Sequence, residues 1–298
     1  MRARRTALTI TAAGAVLGGA VLARRATRAP VPDVRTGTFS NGVDYQAIGS
    51  GPRTMLFLPG GPGIFPFLRA RAARTILSSL AARGFTVWRL ERRRNMPPGH
   101  TIADMADDVA HVIDEAFDGH VDAVVGASMG GLLALYLAAR HPDHAERIVL
   151  LASAAIPNPA TLESTSRFGE AMGNSRFTEA GEAFLEDIVP GDRGRPVRRL
   201  FGPLVGRMLA TPNNPPDVLI ETQALMDADA RPVLPQITAP VLVIHGDQDT
   251  SFTPDVVEET VQLIPDCTLI QYAGRGHGGT VFDARTPGDI ATFVNRDN

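Results

Sequence analysis

The chain has 298 residues, 44% of them hydrophobic and 20% charged, with 29 basic and 32 acidic side chains and a formal net charge of -3. This is the balance of a globular protein with a substantial core, and with no basic stripe to track a phosphate backbone it excludes nucleic acid as a partner. All 29 basic residues are Arg, which excludes lysine Schiff bases and Gly-Lys phosphate loops, and the single Cys267 excludes an intrachain disulfide and a cysteine-rich zinc site.

Residues 1–29 read as a targeting segment and not as part of the fold. Arg2, Arg4 and Arg5 precede an uncharged stretch from Thr6 to Ala23, and Arg24, Arg25 and Arg28 follow it. Arg4-Arg5 before Thr6-Ala7-Leu8 resembles a twin-arginine export signal. Val21-Leu22-Ala23 offers a cleavage site, whereas the arginines just after it favour retention as an anchor. The expectation is a signal sequence or membrane anchor, with the folded domain outside the cytoplasm. Residues 30–40, which contain Pro30 and Pro32, read as a linker.

From residue 41 the pattern alternates. Strands are expected at 43–48, after the turn signal Asn41-Gly42, at 54–58, running into Pro59-Gly60-Gly61-Pro62-Gly63, and at 85–90, with a helix over 68–82. Thr101 caps a helix with Asp104 at its third position, placing Ile102, Met105, Val109 and Ile113 on one face. A strand at 121–125, a helix at 130–140 stopped by Pro142, and a strand at 148–151 continue the series. Strands at 241–245 and 268–272 and a helix at 289–296 close it. This alternation predicts an α/β fold: a mostly parallel central sheet with helices on both faces. Residues 157–232 lack strand-like runs and read as an inserted helical lid, leaving 41–156 and 233–298 as the core. Within the lid, Val197, Leu200, Phe201, Leu204, Val205 and Met208 form an apolar stripe; it either packs inside the lid or lines an acyl pocket.

The chemistry centres on Gly126-Ala127-Ser128-Met129-Gly130-Gly131, where an apolar strand meets a helix. A serine on that turn sits at a helix N-terminus, whose N–H groups favour developing negative charge. A hydroxyl needs a base and an acid that orients it. His277, in Gly274-Arg275-Gly276-His277-Gly278-Gly279, follows a strand directly and is the candidate base. Asp249, after the strand at 241–245, is the candidate acid, and Asp247 is its rival, with a turn-stabilising hydrogen bond as its plain role. His245 ends a strand and reads as framework. The backbone N–H groups of Gly61 and Met129 are the candidate oxyanion donors.

Serine, then acid, then histidine is the chain order of α/β-hydrolases, and from about Asn41 to the C-terminus the sequence resembles that superfamily. Pro59 to Gly63 is similar to the loop of prolyl-iminopeptidase-like members, and GASMGG looks like esterases, lactonases and carbon-carbon bond hydrolases. Pro59 stands where such loops open on histidine, and Glu91-Arg92-Arg93-Arg94 where relatives tend to have Asp-x-Arg-Gly. The resemblance implies a serine hydrolase acting through Ser128, His277 and Asp249, with no metal or organic cofactor. The expected substrate is a small or medium apolar carboxylic ester. Two rival readings stand beside it: an aminopeptidase, which would need lid carboxylates such as Glu163, Glu170 or Glu182 to hold an amino terminus, and a non-hydrolytic binding protein on the same fold.

Overall fold

The computed structural model describes residues 34–188, 192–210 and 213–296. Its strands are β1 (Arg35–Thr38), β2 (Val43–Ile48), β3 (Arg53–Leu58), β4 (Phe85–Arg93), β5 (Ala123–Ala127), β6 (Ile148–Leu151), β7 (Val241–Gly246) and β8 (Cys267–Tyr272). They form one sheet in the order β1-β2-β4-β3-β5-β6-β7-β8. β1 and β2 are antiparallel to each other, β2 is antiparallel to β4, and the strands from β4 to β8 all run parallel. Every residue of β5, β6 and β7 is buried, which is why these segments read as unbroken apolar runs: a parallel sheet is covered on both faces.

The helices are α1 (Pro66–Ala72, continuing through a π-turn at Ala73–Leu77 into Ser78–Ala81), α2 (Ile102–Ala116), α3 (Met129–Arg140), α4 (Pro159–Gly173), α5 (Phe177–Ile188), α6 (Arg195–Ala210), α7 (Pro215–Met226), α8 (Pro254–Leu263), α9 (His277–Val281) and α10 (Thr286–Val294). α2 begins in a capping box: the Thr101 hydroxyl accepts from Asp104 N–H and the Asp104 carboxylate from Thr101 N–H. Its buried face of Ile102, Met105, Val109 and Ile113 packs with Leu132 and Leu135 of α3 on one side of the sheet. Ile76, Leu77 and Leu80 of α1 and Ile290 and Phe293 of α10 cover the other.

β4 lies on one side of β3 and β5 on the other, so the winding direction reverses between β3 and β5. A crevice opens at the carboxyl ends of strands where a doubly wound sheet reverses, and ligands bind there. The loop at 59–65 leaves β3 at that point, and Ser128 leaves β5.

Helices α4 to α7 are inserted between β6 and β7 and hold a small apolar core of their own, with Phe168, Met172, Ala180, Leu209 and Val218 buried. Two expectations are corrected here. Residues 35–38 of the expected linker pair with β2 as a strand, the Pro-containing approach having masked a short polar edge. The α6 stripe does not pack wholly within the insertion: Leu200 is 72% exposed, Leu204 51% and Met208 42%. Gly202 and Gly206 face inward instead, because α5 approaches too closely for side chains: a Cβ at Gly206 would lie 1.7 Å from the Phe177 carbonyl oxygen. The targeting segment at 1–29 lies outside the described residues, among which no helix is long and apolar enough to cross a membrane.

Candidate active site

Ser128 sits between β5 and α3 with φ 53° and ψ -123°, a left-handed backbone that costs a non-glycine residue on the order of 1–3 kcal/mol. The turn is tight enough to fix its neighbours as glycine: a Cβ on Gly126 would lie 2.3 Å from the Gly130 carbonyl oxygen, and one on Gly130 2.2 Å from that of Leu58. β6 and the residues just after it secure both backbone groups of the serine. Its N–H donates to the Leu151 carbonyl at 3.0 Å, and its carbonyl accepts from the Ser153 hydroxyl at 2.8 Å. Sequence reasoning missed Ser153, which carries no motif and is identified only by its position just after a buried strand.

Asp249 and His277 come together as expected. Nδ1 of His277 lies 2.8 Å from Asp249 Oδ2, with the Asp249 side chain fully buried and that of His277 31% exposed. The other carboxylate oxygen accepts from the N–H groups of Ser251 at 2.8 Å and Phe252 at 3.3 Å. Burial alone would raise the Asp249 carboxyl, but the hydrogen bond and charge of His277, with those two N–H groups, outweigh it and hold it below its usual range. An ionised carboxylate can only accept, so Nδ1 carries a proton, and in the neutral ring this leaves the lone pair on Nε2. Phe252 stacks on the imidazole at 6.1 Å between centroids. Its carbonyl accepts from Nε2 of the buried His245, so one residue braces both histidines. Asp247 takes the plain role: its carboxylate accepts from Gly274 N–H at 2.7 Å and shapes the loop that carries His277.

Ser128, Asp249 and His277 follow the carboxyl ends of β5, β7 and β8, so all three lie along one edge of the sheet. Among the described residues no hydrogen bond joins Ser128 Oγ to His277; such contacts commonly tighten only when substrate is bound. Gly60 lies directly over the serine: a Cβ there would be 3.2 Å from Ser128 Cβ and 3.7 Å from Oγ. Neither the Gly61 nor the Met129 N–H finds an acceptor among the described residues.

The Gly60 loop is held by side chains from outside it. Arg92, at the end of β4, donates to the carbonyls of Pro59 (3.0 Å), Gly60 (3.2 Å) and Gly63 (3.0 Å). It also pairs with Glu221 of α7 at 3.0 Å, with both side chains buried. Glu221 in turn accepts from Gly63 N–H at 2.8 Å, and Asn213 bonds both the N–H and the carbonyl of Ile64. Arg92 and Glu221 thus supply what an opening histidine does not, a fixed shape for a loop that begins on Pro59. The signal for Glu221 was present: with Asp217, Val218 and Leu225 it falls on the buried face of α7, and a buried carboxylate calls for a cation or N–H donors to offset its desolvation.

Glu163 and Glu170 are exposed and Glu182 is half-buried, with its side chain against Gly202. Among the described residues, no group of three or more His, Cys, Asp or Glu side chains could hold a metal ion.

A mostly parallel sheet with its reversal at β3 and β5, a strained serine on the turn after β5 and a helical insertion after β6 defines the architecture of an α/β hydrolase. Residues 53–284 match the family model for the alpha/beta hydrolase fold, and the chain belongs to that family of hydrolases. Among characterised relatives it is 32% identical over 184 residues to the pimeloyl-[acyl-carrier protein] methyl ester esterase of Neisseria meningitidis serogroup B, covering 59% of this chain and 67% of that one. It is 28% identical over 188 residues to a proposed carbamate hydrolase, RutD, of Yersinia enterocolitica, covering 62% of this chain and 66% of the relative, just under two thirds of its length. The fold is shared with the enol-lactonase of Burkholderia xenovorans LB400, with a TM-score of 0.66 at 22% identity over 87% of this chain and 98% of that one.

Proposed function

We propose that this chain is a serine hydrolase that cleaves a carboxylic ester, or a related acyl bond, through a covalent acyl-enzyme. The observation that carries the reading is the buried Asp249 carboxylate 2.8 Å from His277 Nδ1, on the sheet edge where Ser128 is held in a strained turn. Asp249 fixes the imidazole tautomer, His277 Nε2 takes the Ser128 proton, and Oγ attacks the carbonyl carbon. The N–H groups of Gly61 and Met129 receive the oxyanion. Each such donor is worth roughly 3–4 kcal/mol at the tetrahedral stage. His277 then returns the proton to the leaving alkoxide, and water, deprotonated by the same nitrogen, releases the acid. No step calls on a metal or organic cofactor.

The relatives support an acyl-bond substrate, since an ester, a carbamate and an enol-lactone all present a carbonyl to such a serine. We also propose that residues 1–29 direct the domain out of the cytoplasm, as an export signal or a membrane anchor.

The test is a panel of p-nitrophenyl esters of increasing acyl length beside aminoacyl amides, with fluorophosphonate labelling, on wild type and Ser128→Ala. The expected result is ester turnover and labelling in the wild type, with loss of both, turnover by at least about 10³-fold, in the variant. Full turnover in Ser128→Ala, or a folded wild type that takes no label, would overturn the assignment.

A further inference from the structure

The outward face of α6 serves neither the fold nor the site described above. Its exposed positions are Arg195, Pro196, Arg199, Leu200, Pro203, Leu204, Arg207 and Met208. Large apolar side chains exposed among the described residues are Val34, Leu200, Leu204, Met208, Leu219 and Met226, so half of them fall at four-residue spacing on this one line. The helix contains four arginines and no acid. A ridge of leucine and methionine costs solubility wherever it faces only water, and three of them aligned are not scattered surface residues.

We propose that this face of α6 is a membrane-contact surface that seats the helical insertion on a bilayer rich in anionic phospholipid. Leu200, Leu204 and Met208 would enter the boundary between headgroups and acyl chains, while Arg195 and Arg199 extend their aliphatic stems alongside and place guanidinium groups among the phosphates. The charge selects the partner: with no carboxylate on the helix, an anionic surface is the complement. The composition separates lipid from protein. Among the described residues the ridge carries no exposed aromatic anchor, the residue type that dominates protein hot spots, whereas Leu and Arg in longitudinal rows are the pattern of an interfacial helix. The chain that precedes Val34 points the same way, with its arginines flanking the uncharged stretch from Thr6 to Ala23. The proposal does not depend on Ser128 or on any catalytic role.

Because the N-terminal segment could bind vesicles by itself, the experiment reads α6 directly. Trp88 is the single tryptophan, so the full chain carrying Trp88→Phe and Leu204→Trp reports from this face alone. It is mixed with vesicles of equal parts phosphatidylglycerol and phosphatidylcholine, with and without bromine on the acyl chains, and with phosphatidylcholine vesicles. The expected result is a blue-shifted emission and quenching by brominated lipid in the anionic vesicles only, weakened by high salt. Adding Leu200→Glu and Met208→Glu, both at exposed positions, should reduce partitioning of the face on the order of 100-fold. The proposal is overturned if the chain sediments with vesicles while the indole emission stays that of water, or if phosphatidylcholine alone quenches equally. It is also overturned if the emission is blue-shifted without lipid in proportion to protein concentration, since a second copy would then occupy the face.

Discussion

Replacing Arg92 by Met tests whether the loop over Ser128 is held by one buried cation. The Arg92 side chain is 4% exposed and that of Glu221 7%, so water cannot take over either partner. Arg92→Met leaves three loop carbonyls without their donor and Glu221 with only the Gly63 N–H. Breaking a buried pair by removing one partner costs about 3–5 kcal/mol. In a domain of this size, where each kcal/mol moves Tm by about 2–4 °C, the variant should melt roughly 6–20 °C below wild type. Arg92→Met combined with Glu221→Met removes the stranded charge and should be less destabilised than the sum of the single variants by about 2 kcal/mol or more. Arg92→Lys keeps the charge but not the planar fork that spans three carbonyls, so it should recover part of Tm while kcat stays low at little change in KM. Thermal melts by circular dichroism and steady-state kinetics on wild type, Arg92→Met, Glu221→Met, the double variant and Arg92→Lys decide the matter. A Tm for Arg92→Met within about 2 °C of wild type, or strict additivity in the cycle, would refute the reasoning.

Ser128→Ala and Ser128→Gly should both be inactive, but the glycine variant should be the more stable by about 1 kcal/mol, because only glycine adopts φ 53° without strain; urea denaturation of the pair measures this. Asp249→Asn keeps the size of the side chain but lets its amide donate to Nδ1, favouring the wrong tautomer, and kcat should fall on the order of 10⁴-fold in a folded protein. Asp283 accepts from Arg285 Nε at 2.9 Å and Arg275 Nε at 2.8 Å. The hydrogen bonds of Arg285, with that of Arg275, hold its carboxyl well below the usual range. A depressed folded value means its stabilisation is complete above the unfolded value, about pH 4, and is lost as pH falls below it. The Tm difference between wild type and Asp283→Asn should therefore be largest near neutrality and shrink in acid; a difference that grows in acid would contradict the assignment.

The strands were legible wherever burial on both faces forced an apolar run, as at Ile148–Leu151, where sequence and structure agree to the residue. β1 was not, because a four-residue polar edge, mostly exposed, carries no such pattern. β4 runs three residues past its expected end, since Glu91 and Arg92 are charged yet buried and composition alone reads them as a turn. Asp249 and His277 were legible because each follows a strand in a short loop, and the chain order limits the choice. The Arg92–Glu221 pair was not, because its members are 129 residues apart and only the folded chain brings them together. The stripe on α6 was visible as a pattern, but periodicity does not tell which side of a helix meets protein when Gly202 and Gly206 set the inward face.

The contact between Glu221 and the Gly60 loop bears on how members of this architecture diversify. Insertions between β6 and β7 look like interchangeable modules, free to be traded for new specificity. Here one end of the module supplies the counter-charge for a core arginine. A chimera that takes helices α4 to α7 from a donor lacking an acid at the position of Glu221 would strand Arg92, and the reverse graft would strand the glutamate. In this chain the two distant positions therefore constrain each other, and grafts of the insertion from donors without that acid should yield inactive or unfolded products unless Arg92 is changed with them.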